Sequence, residues 1–377
     1  MDMAGLYIHI PFCRKLCSYC DFFKTTVLSH IPGYLKSLEK EMEERISYLG
    51  GEPLETIYLG GGTPSVLPAA QLKEVFGRIE KCYEVLPECE ITLEANPDDL
   101  TRHYLRSLYE MTPVNRLSIG IQSFNDDDLR MLNRRHTSEQ ARQCINEARE
   151  TGYHNIGIDL MYGLPGMSQS TWKNNLDIAF SLGVQHISAY HLTIEPRTAL
   201  SRTIGRGLLQ LPEEDESTGQ FFMLHSMAGE QDFMHYEISN LAKGGFISKH
   251  NANYWKRKKY IGLGPSAHSY NLVSRQWNVS NVGKYTEALV NGNSYYMSEE
   301  LDKRTRYNEY IMLSLRTCWG VRVSEILREY GKSMANAFVN QIKPLLLTDW
   351  MIRQGDSVFL TPRGWMASDY IVSRLLF

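Results

Sequence analysis

The residues best suited to chemistry come almost at the start of the chain. The stretch IHIPFCRKLCSYCDFF, residues 8–23, places Cys13, Cys17 and Cys20 within eight positions. Three thiolates spaced C-x3-C-x2-C, on a loop leaving a strand-like run, can converge on one metal centre but supply three ligands rather than four. An iron–sulfur cluster gripped in this way keeps one iron open for an exchangeable ligand. A structural zinc ion would need a fourth ligand, for which His9 or His30 is at hand in the sequence. Ordinary buried thiols are rarely packed at this density. The total of seven cysteines is odd, which fits metal ligation or free thiols better than a disulfide framework.

A loop of this kind has to be carried by something rigid. From residue 6 to about 196 the chain alternates strand-like and helix-like segments. The strands are LYIHIPF, TIYLGGG (56–62), EITLEAN (90–96), RLSIGIQS (116–123), NIGIDLMYG (155–163) and HISAYHLTIEP (186–196), with amphipathic stretches such as SEQARQCINEARETG between them. Six βα units in series imply an α/β fold with a parallel sheet. Gly60, Gly61, Gly62, Glu94, Asn96, Gln122, Asp159 and Glu195 fall near the C-terminal ends of these strands, where barrel enzymes assemble their sites. A barrel, complete or partial, is therefore expected. Beyond Pro212 a helix, then a Gly- and aromatic-rich region to about residue 296, precede helices, a hairpin tip at QGD and a last helix, the order of a small winged-helix-like module. The expected domains are 1–230 (barrel with its site), 231–298 (an extension of the barrel) and 299–377 (the C-terminal module).

CRKLCSYC followed by GGGTP (60–64) resembles the radical S-adenosylmethionine (SAM) superfamily. That resemblance implies a partial (β/α)6-type barrel in which the three thiolates hold a 4Fe-4S cluster, and the open iron chelates the methionine part of SAM. A reduced cluster would then cleave SAM to a 5'-deoxyadenosyl radical. The glycines have a physical reason of their own, since without a Cβ the backbone comes close to a small polar ligand; a plain tight turn would use them too. The resemblance extends over the chain to the oxygen-independent coproporphyrinogen III oxidase-like group, through YIHIPFC, GGGTPS, EANPDDL, SIGIQSFND, LNRRHT, IDLMYGLPG and HISAYHLTIEP. By position it implies SAM contacts from Tyr7, Tyr19, Gly61, Gly62, Thr63, Glu94, Gln122, Arg134, Asp159 and Thr193. Carboxylates suit ribose hydroxyls and an ammonium group, and the planar fork of an arginine suits a carboxylate. Taken singly, Tyr7 serves equally as strand packing, and Glu94 or Asp159 as a helix cap.

Two kinds of protein share this pattern: dehydrogenases that decarboxylate coproporphyrinogen propionates, and a HemW-like branch regarded as haem chaperones. The dehydrogenase pattern carries a further cysteine two residues beyond the third ligand, where this chain has Phe22 within CDFF. HNANYW (250–255) resembles the HN-x2-YW signature of the chaperone branch, followed by YIGLGPSAHSY. The resemblance thus implies haem as cargo, haem-accepting proteins and an electron donor as partners, with the dehydrogenase as the alternative and enzymatic turnover left open. A neutral histidine is a standard haem ligand, which makes His250 the candidate, beside Tyr254 and Trp255; a hydrogen-bonding role within the fold is the competing account. The run KRKK (256–259) would pair with haem propionates or form a solvated face.

The net charge of −3 provides no general drive toward nucleic acid or anionic lipid. From Glu300 onward the chain holds 11 Lys/Arg against 8 Asp/Glu, too small an excess to make the winged-helix-like module a nucleic-acid reader. The first strand-like run starts within about five residues of Met1, with no basic and apolar leader, and no apolar run reaches the roughly 18 residues of a membrane span. A cytoplasmic location is expected, with peripheral contact to membrane haemoproteins open.

Overall fold

A computed structural model of the chain describes residues 3–377. The parallel strands are β1 (Ala4–Ile10), β2 (Leu54–Gly61), β3 (Val85–Ala95), β4 (Arg116–Gln122), β5 (Asn155–Tyr162) and β6 (His186–His191), hydrogen-bonded in that order. Between them run α1 (Ile31–Glu44), α2 (Ala69–Cys82), α3 (Arg102–Met111), the short α4 (Asp126–Met131), α5 (Ser138–Thr151) and α6 (Gln169–Ser181). Strands in such a sheet are covered on both faces, and every residue of β4 is buried. The helices stop and start where local chemistry dictates. The Thr137 hydroxyl and Gln140 side chain form a capping box at α5, which ends at Gly152 in the left-handed region, φ 118°.

The six strands do not close into a barrel. Two further strands, β7 (Phe233–Glu237) and β8 (Asn240–Lys243), extend the β6 edge antiparallel, while β9 (Tyr260–Leu263) lies parallel to β1 with Tyr7 opposite Gly262. Then β10 (His268–Tyr270), β11 (Ser274–Asn278) and β12 (Tyr296–Glu300) continue outward, giving twelve strands in the order 12-11-10-9-1-2-3-4-5-6-8-7. The expected partial (β/α)6 barrel is present, and strands β7 to β12 widen its sheet on both sides. Helices α7 (Ala199–Gly205), α8 (Glu214–Glu230), α9 (Lys249–Trp255) and α10 (Val282–Asn291) belong to this part.

The C-terminal module is winged-helix-like: α11 (Lys303–Leu315), β13 (Val321–Arg322), α12 (Val323–Tyr330), α13 (Lys332–Ile342), the hairpin β14 (Met351–Gln354) and β15 (Ser357–Leu360), then α14 (Pro362–Met366) and α15 (Ser368–Ser373). The hairpin turns at Gly355, φ 60°, as QGD suggested. Backbone hydrogen bonds from Ile238 to Arg316 (3.1 Å) and from Cys318 to Tyr236 (2.9 Å) stitch the module to the β7 edge. On the opposite flank the Arg257 guanidinium reaches Glu325 at 2.6 Å, Glu329 at 3.2 Å and the Tyr330 hydroxyl at 2.7 Å.

Candidate functional site

The cysteine loop leaves β1 and is pinched at its neck, where Cys13 N–H donates to Thr25 O (2.9 Å) and Thr25 N–H to Pro11 O (2.7 Å). Its tip is tied to the end of α4: Ser18 N–H donates to Leu132 O at 3.1 Å, and the Asn133 amide to Leu16 O at 2.8 Å. Between neck and tip, Cys13, Cys17 and Cys20 face one cavity of about 330 Å³. The same cavity is lined by Tyr19, Gly61, Gly62, Thr63, Glu94, Gln122, Arg134 and Asp159. Eleven of the fourteen candidate cluster ligands, SAM contacts and haem ligand therefore meet at the C-terminal mouth of the parallel strands. Strand alternation explains the set, since residues two apart share a face: Ser118, Gly120 and Gln122 of β4, with Asp159 and Met161 of β5, line it together.

The sulfurs are met by donors. The Thr63 hydroxyl approaches Cys13 Sγ at 3.4 Å and Arg134 Nη1 approaches Cys17 Sγ at 3.3 Å. Arg134 Nη2 is fixed by Asn96 Oδ1 (2.7 Å) and Gly120 O (2.5 Å), while its buried Nε has no partner. An orphaned guanidinium donor at a cavity wall is a place for an acceptor the protein does not itself provide. Burial pushes the Cys13 thiol up, against the Thr63 hydrogen bond. Among the described residues no three His, Cys, Asp or Glu side chains converge as ligands of one ion. Neither histidine considered for zinc helps: His9 is committed to the Tyr7 hydroxyl (3.0 Å) and Phe23 O (2.9 Å), and His30 lies exposed at the start of α1. The donor set, three thiols lining one cavity with hydrogen bonds to two of the sulfurs and no fourth protein ligand at hand, fits a cluster cage.

Two carboxylates face the same space. Glu94 accepts from the Tyr58 hydroxyl at 2.7 Å and Gly61 N–H at 3.0 Å, yet burial and the Asp159 charge raise it to about 7. Burial likewise raises Asp159 to about 6, opposed by the Ser188 hydroxyl and by Arg116 and Arg134. Behind them Arg116 is 1% exposed with Nε and Nη1 unpartnered, a buried cation beneath two buried acids. Gly61, φ 104°, could carry no side chain: a Cβ there would lie 2.4 Å from the His9 ring.

Three of the expected residues lie elsewhere. Tyr7 and Thr193 line neighbouring cavities rather than the one holding the cysteines, because Tyr7 sits low on β1 and Thr193 beyond the end of β6. His250 is 1% exposed, with Nδ1 at 2.8 Å from the Thr56 hydroxyl and Nε2 at 2.8 Å from the Tyr254 hydroxyl. Both ring nitrogens are engaged, so the hydrogen-bonding account describes it as it stands. The KRKK run is also spoken for internally. Lys258 and Lys259 pair with Glu55 and Glu52, Arg257 holds α12, and Lys256 lies 4.4 Å over the Trp319 ring. Sequence reasoning passed over Ser118 and Tyr190, which line the cavity, and the buried Ser188 and Arg116 that act on Asp159, since nothing local marks which way a strand residue faces.

An open parallel barrel with three cysteines on the loop after its first strand and a Gly-rich turn after its second defines a radical SAM protein. The Radical SAM superfamily model matches residues 7–179 and the HemN C-terminal domain model residues 301–367. Heme chaperone HemW of Bacillus subtilis is 35% identical over 377 residues, 99% of either chain, and that of Lactococcus lactis 33% identical over 98% of this chain and 96% of its own. Coproporphyrinogen III oxidase (HemN) from Escherichia coli has the same fold, with a TM-score of 0.85 at 22% identity, covering 99% of this chain and 90% of that one. The chain belongs to the HemW family of the radical SAM superfamily.

Proposed function

We propose that this protein is a haem chaperone built on a radical SAM frame. In this reading Cys13, Cys17 and Cys20 hold a 4Fe-4S cluster, SAM occupies the adjoining cavity, and haem is cargo passed to acceptor haemoproteins. The observation that carries the cofactor assignment is the convergence of the three thiols, the Gly61–Thr63 turn, Glu94, Gln122, Arg134 and Asp159 on one cavity. Haem enters through the relatives whose names call them heme chaperones. When bound, the cluster supplies one electron and an open iron for the sulfonium cofactor. The chain's own residues do the rest. Arg134, which holds Cys17, would offer its guanidinium to the cofactor's carboxylate, the Gly-rich turn would admit its amino end, and Glu94 and Asp159 would accept from ammonium and ribose hydroxyls. Tyr19 and Thr63 close the cavity wall against water, and Tyr7 and Thr193 border it from outside.

The division into 1–230, 231–298 and 299–377, a cytoplasmic location and a separate electron donor belong to the same proposal. Among the described residues no helix is long and apolar enough to cross a membrane, so acceptors in a membrane would be met at its surface. The test is anaerobic reconstitution followed by two incubations: with coproporphyrinogen III and SAM, and with haem followed by an apo-haemoprotein. Haem bound stoichiometrically and passed on, without protoporphyrinogen, is the expected result. Protoporphyrinogen formation would favour the dehydrogenase that Phe22, in place of a cysteine, argues against.

A further inference from the structure

A second aromatic cavity adjoins the cysteine cavity but is not part of it. It measures about 610 Å³, within the roughly 300–1,000 Å³ of small-molecule sites, and lies where the sheet continues past β1, roofed by Met312 and Leu313 of α11. Tyr7, Phe23, Tyr254, Tyr260 and Tyr270 make its walls, an apolar lining with aromatic faces suited to a flat conjugated ring. Phe22, 72% exposed, borders this cavity and the cysteine cavity alike, so the two meet at that ring.

The polar groups on its rim narrow the occupant. Arg257, Arg275 and Glu309 line it; Arg257 is committed to Glu325, Glu329 and Tyr330, which leaves Arg275 as the cation that can meet a ligand carboxylate. Arg275, 32% exposed, is held by Glu309, a mostly buried carboxylate of the same lining, and its second pairing, with the half-exposed Glu299 (3.3 Å), is the kind of surface contact a ligand carboxylate can replace at little cost. Three histidines lie at or behind the wall. His9 and His250 have both nitrogens in hydrogen bonds, the latter to Tyr254, whose ring is part of the wall. His268, at the start of β10, makes no side-chain hydrogen bond and rests at 6.3 Å and 24° against Trp277, leaving its imidazole open to the cavity.

We infer that this cavity is the haem site and that His268, not His250, is the histidine ligand of the iron, with Arg275 receiving a propionate. His250 then acts as a positioning residue that fixes the Tyr254 wall from behind. The inference rests on the chaperone reading and specifies where the cargo sits: on the β1 flank, separated from the cluster site by Phe22. Burial and the neighbouring Arg275 lower the basicity of His268, which keeps its lone pair available at neutral pH.

The test is titration of the full-length, cluster-loaded protein with ferric haem, read by the Soret band, low-temperature EPR and resonance Raman. His268→Ala is expected to lose the histidine-ligated signature, weaken binding about tenfold or more, and regain the signature on addition of free imidazole. His250→Ala should keep it. Met312→Trp, which fills the cavity from α11 without touching a ligand, should weaken haem binding while leaving iron and sulfide content unchanged. A parent-like spectrum in His268→Ala, or loss of the signature only in His250→Ala, would overturn the assignment while leaving haem binding established. A parent protein that binds no haem would instead remove the chaperone reading itself.

Discussion

Replacing Glu94 tests the electrostatics of the cofactor cavity before any ligand is added. Its carboxyl group is held at about 7 rather than 4.5 by burial and by Asp159, although Tyr58 and Gly61 both donate to it. A folded-state value above the unfolded one means that folding takes up a proton between those limits. Stability is therefore greatest below about pH 4.5, falls as the pH rises to about 7, and is level above. At about 1.36 kcal/mol per unit over a span of about 2.5 units, the ionised group costs the folded state about 3 kcal/mol at pH 8. Glu94→Gln is neutral throughout. It keeps an acceptor for one donor and forfeits the other, a loss of about 1 kcal/mol. The variant should thus be about 2 kcal/mol more stable than the parent at pH 8, with the advantage gone near pH 5. Urea unfolding of the cofactor-free protein, followed by tryptophan fluorescence from pH 5 to 8, measures this directly. SAM binding at pH 8 should move the other way and weaken, because the amide cannot take a cation. A stability difference that stays constant across that pH range would refute the reasoning, since it would mean that Glu94 is ionised in the folded protein at every pH examined.

Gly61→Ala should cost about 2–4 kcal/mol, since the new Cβ meets the His9 ring at 2.4 Å on a backbone with φ 104°; an unchanged melting temperature would contradict the packing described. Alanine at Cys13, Cys17 or Cys20 should each abolish most of the iron and sulfide retained after anaerobic reconstitution, whereas alanine at Cys82, outside the cavity on α2, should leave both unchanged. Arg257→Ala removes the contacts to Glu325, Glu329 and Tyr330 and the stacking 4.4 Å from the Tyr310 ring. Without haem, limited proteolysis at the junction near residue 300 should accelerate about tenfold or more, in line with about 2 kcal/mol lost from docking. Equal cleavage rates would show that the β7 stitching holds the module alone.

How much of this was legible in the sequence depended on whether the determining partner lay nearby. The six parallel strands were, because each is a run of apolar residues between an amphipathic helix and a turn, and a parallel pair needs such a crossover. The strands that widen the sheet were not: β7 to β12 are three to five residues long, and β9 joins the sheet only because it finds β1 some 250 residues upstream. The cofactor cavity followed the same rule. Cysteines, glycines and strand-end carboxylates announce themselves by type and spacing, while Arg116 and Ser118 differ from structural strand residues only in the face they present. The histidines are the sharpest case. By sequence His250, inside a dense aromatic motif, looks more like a ligand than His268 does. What decides between them is a hydroxyl on Thr56, 194 residues from His250, and the lack of any such partner for His268. An imidazole becomes a ligand when a nitrogen is left over, and that remainder is a property of the packed fold.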